Sequence, residues 1–245
     1  MKDEVLMISR SGTSKLLDKG FQEQFYEAIK SRKRDDSLQL DVRKLREAIV
    51  ATGRNDKFAV DVYEYSVDLA ISSGNFQELI KSLSYLHSFL YDNAVDYPRK
   101  AEIIAYYLYY LTCYTVSENK LTGSTIEVLK VYQKYPALTD ERVIVQAIDW
   151  LRALNLDVDY VGLQNVWKNT STSERIIIQT MFPRLRVRLS KLISKSYFTI
   201  PLEFFLQNLF IDSNSPDWKE VVRILTDQEV TSETISLELK KRSKK

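Results

Sequence analysis

Apolar residues recur at helical spacing along most of the chain. Within residues 58–91, Phe58, Val62, Tyr65 and Leu69 follow one another at four, three and four positions. Phe76, Leu79, Ile80, Leu83, Leu86 and Leu90 resume the pattern after a break at Ser72, Ser73, Gly74 and Asn75. A period of about 3.6 predicts two amphipathic helices. Gly74 stands where a helix end calls for positive φ, and so short a link makes the pair an antiparallel hairpin. One hairpin cannot bury both stripes, so it must stack on others.

The same reading extends in both directions. Residues 1–20 carry little periodicity and are expected to be a loosely attached lead-in. Phe21, Phe25 and Ile29 share a helix face ending in Lys30, Arg32, Lys33 and Arg34. Val42, Leu45 and Ile49 mark a helix over about 40–51, closed by Gly53. A long helix is expected over 99–117, where Ile103, Ile104, Tyr107, Leu108, Leu111 and Tyr114 are apolar nearly all round, as in a helix packed on both sides. Ile126, Leu129 and Val131 give a return helix over 125–135 its expected inward face. Val143, Ala147, Trp150, Leu151 and Leu154 do so for a helix opening after Thr139, and shorter helices follow at 160–168 and 174–181. Helical hairpins returning about every forty residues without a strict repeat have the texture of a tetratricopeptide-like α-solenoid. It is expected over 21–172.

Residues 173–239 read differently. Leu185, Leu189, Leu192 and Ile193 make the apolar stripe of a helix opened by Pro183. Arg184, Arg188, Lys191 and Lys195 make a second stripe, with Arg186 beside it, and no acid occurs between Arg175 and Glu203. A face of one sign repels itself, which points to an anionic partner. Strand formers follow at Tyr197, Phe198, Thr199 and Ile200, then a helix from Pro201 with Leu202, Phe205, Leu206 and Leu209 inward. A second helix is expected to bury Trp218, Val221, Val222 and Leu225. Ile235, Leu237 and Leu239 then alternate with polar residues as in a half-buried strand, paired with a short strand at 229–231. Helix, strand, helix, helix, strand, strand is the order of a winged helix. Residues 240–245 form a basic tail: Lys240, Lys241, Arg242, Lys244 and Lys245.

Composition narrows the class. Six Gly and five Pro among 245 residues argue against an all-β chain rich in turns, and 44% hydrophobic residues suffice for a real core. The net charge of +2 says less than where the charges fall. One cysteine, Cys113, allows no internal disulfide and favours an intracellular setting; one histidine, His87, leaves too few ligands for a zinc site of the usual Cys/His kind. The apolar run after Met1 is too short for a signal-peptide core. The longest uncharged run, 103–117, falls short of the roughly 20 residues needed to span a bilayer.

No catalytic constellation emerges. His87 has no nucleophile to serve and reads as a structural or surface residue; Cys113 reads as a small core residue. No phosphate-binding glycine loop is present. Asp157 and Asp159 are two loop carboxylates without further metal ligands. Tyr106, Tyr107, Tyr109 and Tyr110 read as core or interface rather than base-stacking residues. An enzyme is not expected, and neither cofactor nor metal is implied.

The wording of 58–91 resembles the central motif of the SAC/GANP/Thp family, PCI-like scaffolds of messenger-RNA processing and export. Phe58, Val60, Val62, Tyr63, Glu64, Ala70, Gly74, Glu78, Leu90 and Tyr91 carry the match. The family's histidine is Ser66 here, and the acidic residue before its glycine is Ser73. Residues 194–210, SKSYFTIPLEFFLQNLF, resemble the approach to a PCI-type winged helix. The resemblance implies a mainly α protein, an α-solenoid of hairpins followed by a C-terminal winged helix. It also implies a nuclear scaffold, present in the cytoplasm as a second location, that pairs with another PCI-domain protein and with the small acidic Sem/DSS protein. RNA or DNA would be held by backbone contacts at Arg184, Arg186, Arg188, Lys191, Lys195 and the tail. Two other readings exist. A purely structural subunit of the proteasome lid, the signalosome or an initiation-factor assembly would set the basic stripe against acidic protein. A sequence-specific DNA regulator would need base-reading donors on the second helix of the motif, where only Lys219 and Arg223 are long enough.

Overall fold

The computed structural model describes residues 15–32, 36–91, 97–114, 125–155, 158–231 and 234–239. Among these are twelve α-helices and one two-stranded sheet. The helices are α1 Lys19–Lys30, α2 Asp36–Ala51, α3 Lys57–Ser73, α4 Phe76–Tyr85, α5 Lys100–Cys113, α6 Thr125–Lys134, α7 Arg142–Asn155, α8 Tyr160–Asn169, α9 Thr172–Gln179, α10 Phe182–Ser196, α11 Leu202–Asn208 and α12 Trp218–Thr226; the strands are β1 Thr199–Pro201 and β2 Ser236–Glu238. The protein is mainly helical, as the periodicity requires, and the described chain divides into two compact units whose boundary, after Tyr107, falls inside α5.

In the first unit α1, α2, α3 and α4 pack as sequential neighbours. Local chemistry fixes the ends. Asp18 Oδ1 accepts from the Phe21 amide at 2.8 Å and Asp56 Oδ1 from the Ala59 amide at 3.1 Å. Gly74 terminates α3 at φ 67°, and Asn75 then caps α4 by accepting from the Glu78 amide at 3.2 Å. The hairpin read from the sequence is therefore present, with its turn at the glycine.

Its core face is wider than one stripe. Phe58 and Tyr65 are half-buried, while Ala59, Val60, Val62, Tyr63, Val67, Leu69, Ala70 and Ile71 are all buried. The reason is that α3 lies between α2 and α4, so two of its faces are covered. Three arginines tie these helices together. Arg54 bonds Glu23, Asp56 and Gln22 and stacks 3.9 Å over Phe58. Arg46 pairs with Glu78, and Arg99 forks onto Asp68 at 2.8 and 2.9 Å.

Two features depart from the sequence reading. After Tyr85 the helix widens into a π turn, Leu86–Leu90, closed by the Tyr91 amide to the Leu86 carbonyl at 2.8 Å. Leu86, Leu90 and Tyr91 are all buried by it. The lead-in expected through residue 20 is also shorter: Leu16 is 3% exposed, its carbonyl accepts from Gln22 Nε2 at 2.8 Å, and α1 starts at Lys19.

The second unit holds the end of α5, α6 to α12 and the sheet. Within α5, Tyr106, Tyr109 and Tyr110 are buried and Tyr107 is half-buried, as expected of core tyrosines. On α6 the inward face is Val128 and Val131; Ile126 and Leu129, expected inside, are 67% and 44% exposed. The chain there offers two apolar stripes, and only the one shared with Val128 meets the core. Ser171 and Glu174 form a reciprocal capping box at the start of α9. The last elements run α10, β1, α11, α12, β2. β1 and β2 are antiparallel with Ile200 opposite Leu237, extended by bonds from Leu202 N to Ile235 O and from Leu239 N to Phe198 O.

The strand expected at 229–231 does not form among the described residues. Asp227 ends α12 at φ 57°, and the Gln228 side chain takes both main-chain groups of Glu238 on the outer edge of β2, where a third strand would pair. No helix among the described residues is long and apolar enough to cross a membrane.

Candidate nucleic-acid interface

The basic residues singled out in the sequence lie on α10. Phe182, Leu185, Leu189, Ser190 and Ile193 are buried and fix its inner face. At about 100° per residue, Arg184, Arg188, Lys191 and Lys195 fall on the opposite face, whereas Arg186 is about half a turn from that stripe. The side chains follow this division. Arg188, Lys191 and Lys195 are exposed, and no ion pair holds Arg188 or Lys191 among the described residues. Elsewhere, helix-surface cations sit beside acids three or four residues away: Lys30 with Glu27, Arg43 with Glu47, Lys81 with Glu78, Lys130 with Glu127, Arg152 with Asp149. α10 has no acid of its own, so Arg188 and Lys191 lack the neighbouring carboxylate that those other cations have.

Arg186 is not part of that face, contrary to the sequence expectation. Its Nε donates to the Leu209 carbonyl at 3.0 Å and its Nη2 to the Phe210 carbonyl at 2.5 Å, with the guanidinium 5.2 Å from the Phe182 ring centroid. Burial lowers its pKa from the ordinary arginine value. Arg184 is half-buried and donates to the Cys113 carbonyl at 2.9 Å. Both side chains hold main chain in place. Of the tail, Lys240, Lys241, Arg242, Lys244 and Lys245 lie outside the described residues, as do Lys33 and Arg34 of the earlier basic run. The described part of that earlier run is internally paired: Lys30 with Glu27 and Arg32 with Asp41, each at 2.6 Å.

Behind α10 an aromatic cluster joins α7, α8, α10 and the end of α11. Phe210, held at φ 54°, stacks on Phe182 at 5.1 Å and meets Trp167 at 5.7 Å and Trp150 at 6.2 Å. A cleft of about 670 Å³ opens over it, lined by Trp167, Phe182, Arg186, Phe210, Asp217 and Trp218 among others. It explains a difference on α12: of the four residues expected inside, only Val222 is buried, because Trp218 and Val221 face the open cleft. The Asp217 carboxyl is held below its usual range, first by the Ser215 hydroxyl. No pattern in the sequence announced this cleft, since its aromatic residues come from four separate segments.

The remaining candidates are placed as follows. The Cys113 thiol is buried, and burial pushes it up to about 12. The His87 ring lies 5.3 Å from Tyr107. Asp159 caps α8, accepting from the Val161 and Gly162 amides at 3.1 and 3.0 Å. Among the described residues no three His, Cys, Asp or Glu side chains come together in a way that could hold a metal ion.

What these elements define is a mainly helical protein whose last described elements include a two-stranded sheet and a helix, α10, with exposed cations and no acid. No protein-family model matches the chain, and no curated protein matches it.

Proposed function

We propose that this chain is a non-catalytic scaffold subunit that holds RNA or DNA by its phosphates along the outer face of α10, in nuclear messenger-RNA maturation, transcription or export. The observation that carries the reading is the exposed row of Arg188, Lys191 and Lys195 on a helix without acids. Phosphate contacts of this kind give binding that is strong at low salt and largely independent of sequence. Leu239, the last described residue before the basic tail, is bonded at 2.7 Å to Phe198, two residues beyond the end of α10. The order α10, β1, α11, α12, β2 supports a winged helix with a reduced sheet, and the wording of 58–91 supports a PCI-like partner pairing.

A groove between α2 and α4 suits the proposed acidic partner of the Sem/DSS kind. It is lined by Val50, Tyr63 and Tyr85 and by Arg43, Arg46 and Lys81, which pair with Glu47 and Glu78, so an acidic segment would bind there by competing with those two carboxylates.

The alternative is a purely structural subunit of a PCI assembly, with α10 set against acidic protein. The engagement of Arg184 and Arg186 by main-chain carbonyls favours it, since it reduces the free basic surface. Affinity purification from cells separates the two. RNA-processing proteins and nuclease-sensitive nucleic acid should accompany the scaffold; proteasome-lid, signalosome or initiation-factor subunits without nucleic acid would establish the alternative.

A further inference from the structure

The basic face of α10 ends beside two exposed aromatic rings. Tyr197, at the helix C-cap, is 40% exposed and Phe198 is 61% exposed, although Ile200 two residues on is buried. The short β1–β2 ribbon covers only its middle pair, Ile200 and Leu237, and leaves the ring at its open end outside.

The main chain at Phe198 is fixed, and the Tyr197 ring has an aromatic neighbour. Phe198 is anchored through its carbonyl by the Leu239 amide at 2.7 Å. Tyr197 stands edge-on to Phe204 at 6.0 Å. Phe198 lies three positions beyond Lys195, at most about 10 Å of chain. Along the chain, a row of exposed cations is thus followed directly by a pair of exposed rings.

Duplex and single strand would use such a surface differently. A duplex presents phosphates but keeps the faces of its bases stacked, so it can engage the cations alone. A single strand can lay phosphates along the cations and turn its bases onto the rings, and stacking is tolerant of sequence because every base has a π face. An acidic protein would satisfy the cations too, but it gives no reason for rings at this end of the row.

We propose that the outer face of α10 binds single-stranded nucleic acid, with phosphates along Arg188, Lys191 and Lys195 and bases stacked on Tyr197 and Phe198. The inference rests on reading α10 as a nucleic-acid surface and adds the strandedness of the ligand and the residues that select it.

The test uses the full chain with fluorescent oligo(dT), oligo(U) and a mixed-sequence duplex of equal length, read by anisotropy. The wild type should bind the single strands more tightly than the duplex. Tyr197→Ala and Phe198→Ala should each weaken single-strand binding roughly tenfold or more, with duplex binding and the dependence on salt unchanged. Phe198→Trp should retain the single-strand preference, which guards against reading a folding defect as lost stacking. Alanine variants that bind single strands as well as the wild type, or lose single strand and duplex equally, would overturn the proposal. Failure of the underlying reading looks different: oligonucleotides of neither kind would be bound, or charge reversal at Arg188, Lys191 and Lys195 would leave both affinities intact. Preference between oligo(dT) and oligo(U) separates the DNA and RNA forms of the ligand.

Discussion

The Tyr91 hydroxyl donates a 2.6 Å hydrogen bond to Oε1 of Glu64, a residue that α3 holds only 8% exposed. Both are among the positions that carry the family resemblance, and they lie on the two halves of the hairpin, so the bond ties the π turn back onto α3. Burial raises the Glu64 carboxyl above its ordinary value, with the Tyr91 hydroxyl and Arg99 opposing it. Tyr91→Phe should therefore cost about 1.5–3 kcal/mol at neutral pH, because a buried carboxylate loses its donor. With the folded-state pKa above the unfolded one, the folded chain holds the proton longer, and this group favours folding more as pH falls through the raised value toward the ordinary one. The deficit of Tyr91→Phe should shrink over that window, and Glu64→Gln should exceed the wild type at neutral pH by a margin that closes on acidification. Urea midpoints measured across pH check both signs.

Arg186 and Arg188 sit two residues apart on α10 and should behave as different kinds of residue. Arg186→Met removes two hydrogen bonds to the main chain of Leu209 and Phe210 and should destabilise the protein by about 2 kcal/mol. Arg188→Met should leave the denaturation midpoint unchanged and weaken oligonucleotide binding. Parallel urea titrations and anisotropy measurements distinguish them; equal effects on stability would mean that the side-chain division of α10 is wrong.

Gly74 ends α3 at φ 67° with open space where a Cβ would stand. Gly74→Ala should then cost about 1 kcal/mol from backbone strain alone, without any clash. Gly74→Asn should cost less than Gly74→Val, since asparagine tolerates the left-handed region and a β-branched side chain does not. Thermal denaturation of the three variants gives the order.

Tyr109 is fully buried, and its hydroxyl has no hydrogen-bond partner among the described residues. Burial raises its pKa well above the ordinary tyrosine value. Tyr109→Phe removes an unsatisfied polar group and should leave stability unchanged or raise it by up to about 1 kcal/mol. A loss larger than that, measured by urea denaturation, would show that the hydroxyl is bonded in solution.

The sequence disclosed what is periodic. The α3–α4 hairpin was legible because an apolar repeat of 3.6 and a glycine at the turn agree, and the inner face of α10 because Leu185, Leu189 and Ile193 alternate with charge. Features decided by neighbours were not legible. Ile126 and Leu129 spell an amphipathic face, yet the core meets the Val128 side. Arg186 counts as one more cation in a basic run until its angle on the helix and the carbonyls of Leu209 and Phe210 are known. The missing strand at 229–231 depends on Gln228 capping the edge of β2, and the cleft depends on aromatic residues brought together from distant segments. The exposed pair Tyr197 and Phe198 read as ordinary strand formers; only their burial sets them apart.

The most direct measurement is the affinity of the triple variant Arg188→Glu, Lys191→Glu, Lys195→Glu for a labelled single strand, followed across a salt titration beside the wild type. The wild type should show an affinity that falls steeply with salt, by a slope of about 0.7 per phosphate contacted. The folded variant should have lost both the binding and the slope. Equal affinity and equal slope in the two proteins would contradict the assignment of α10 as the surface that holds nucleic acid.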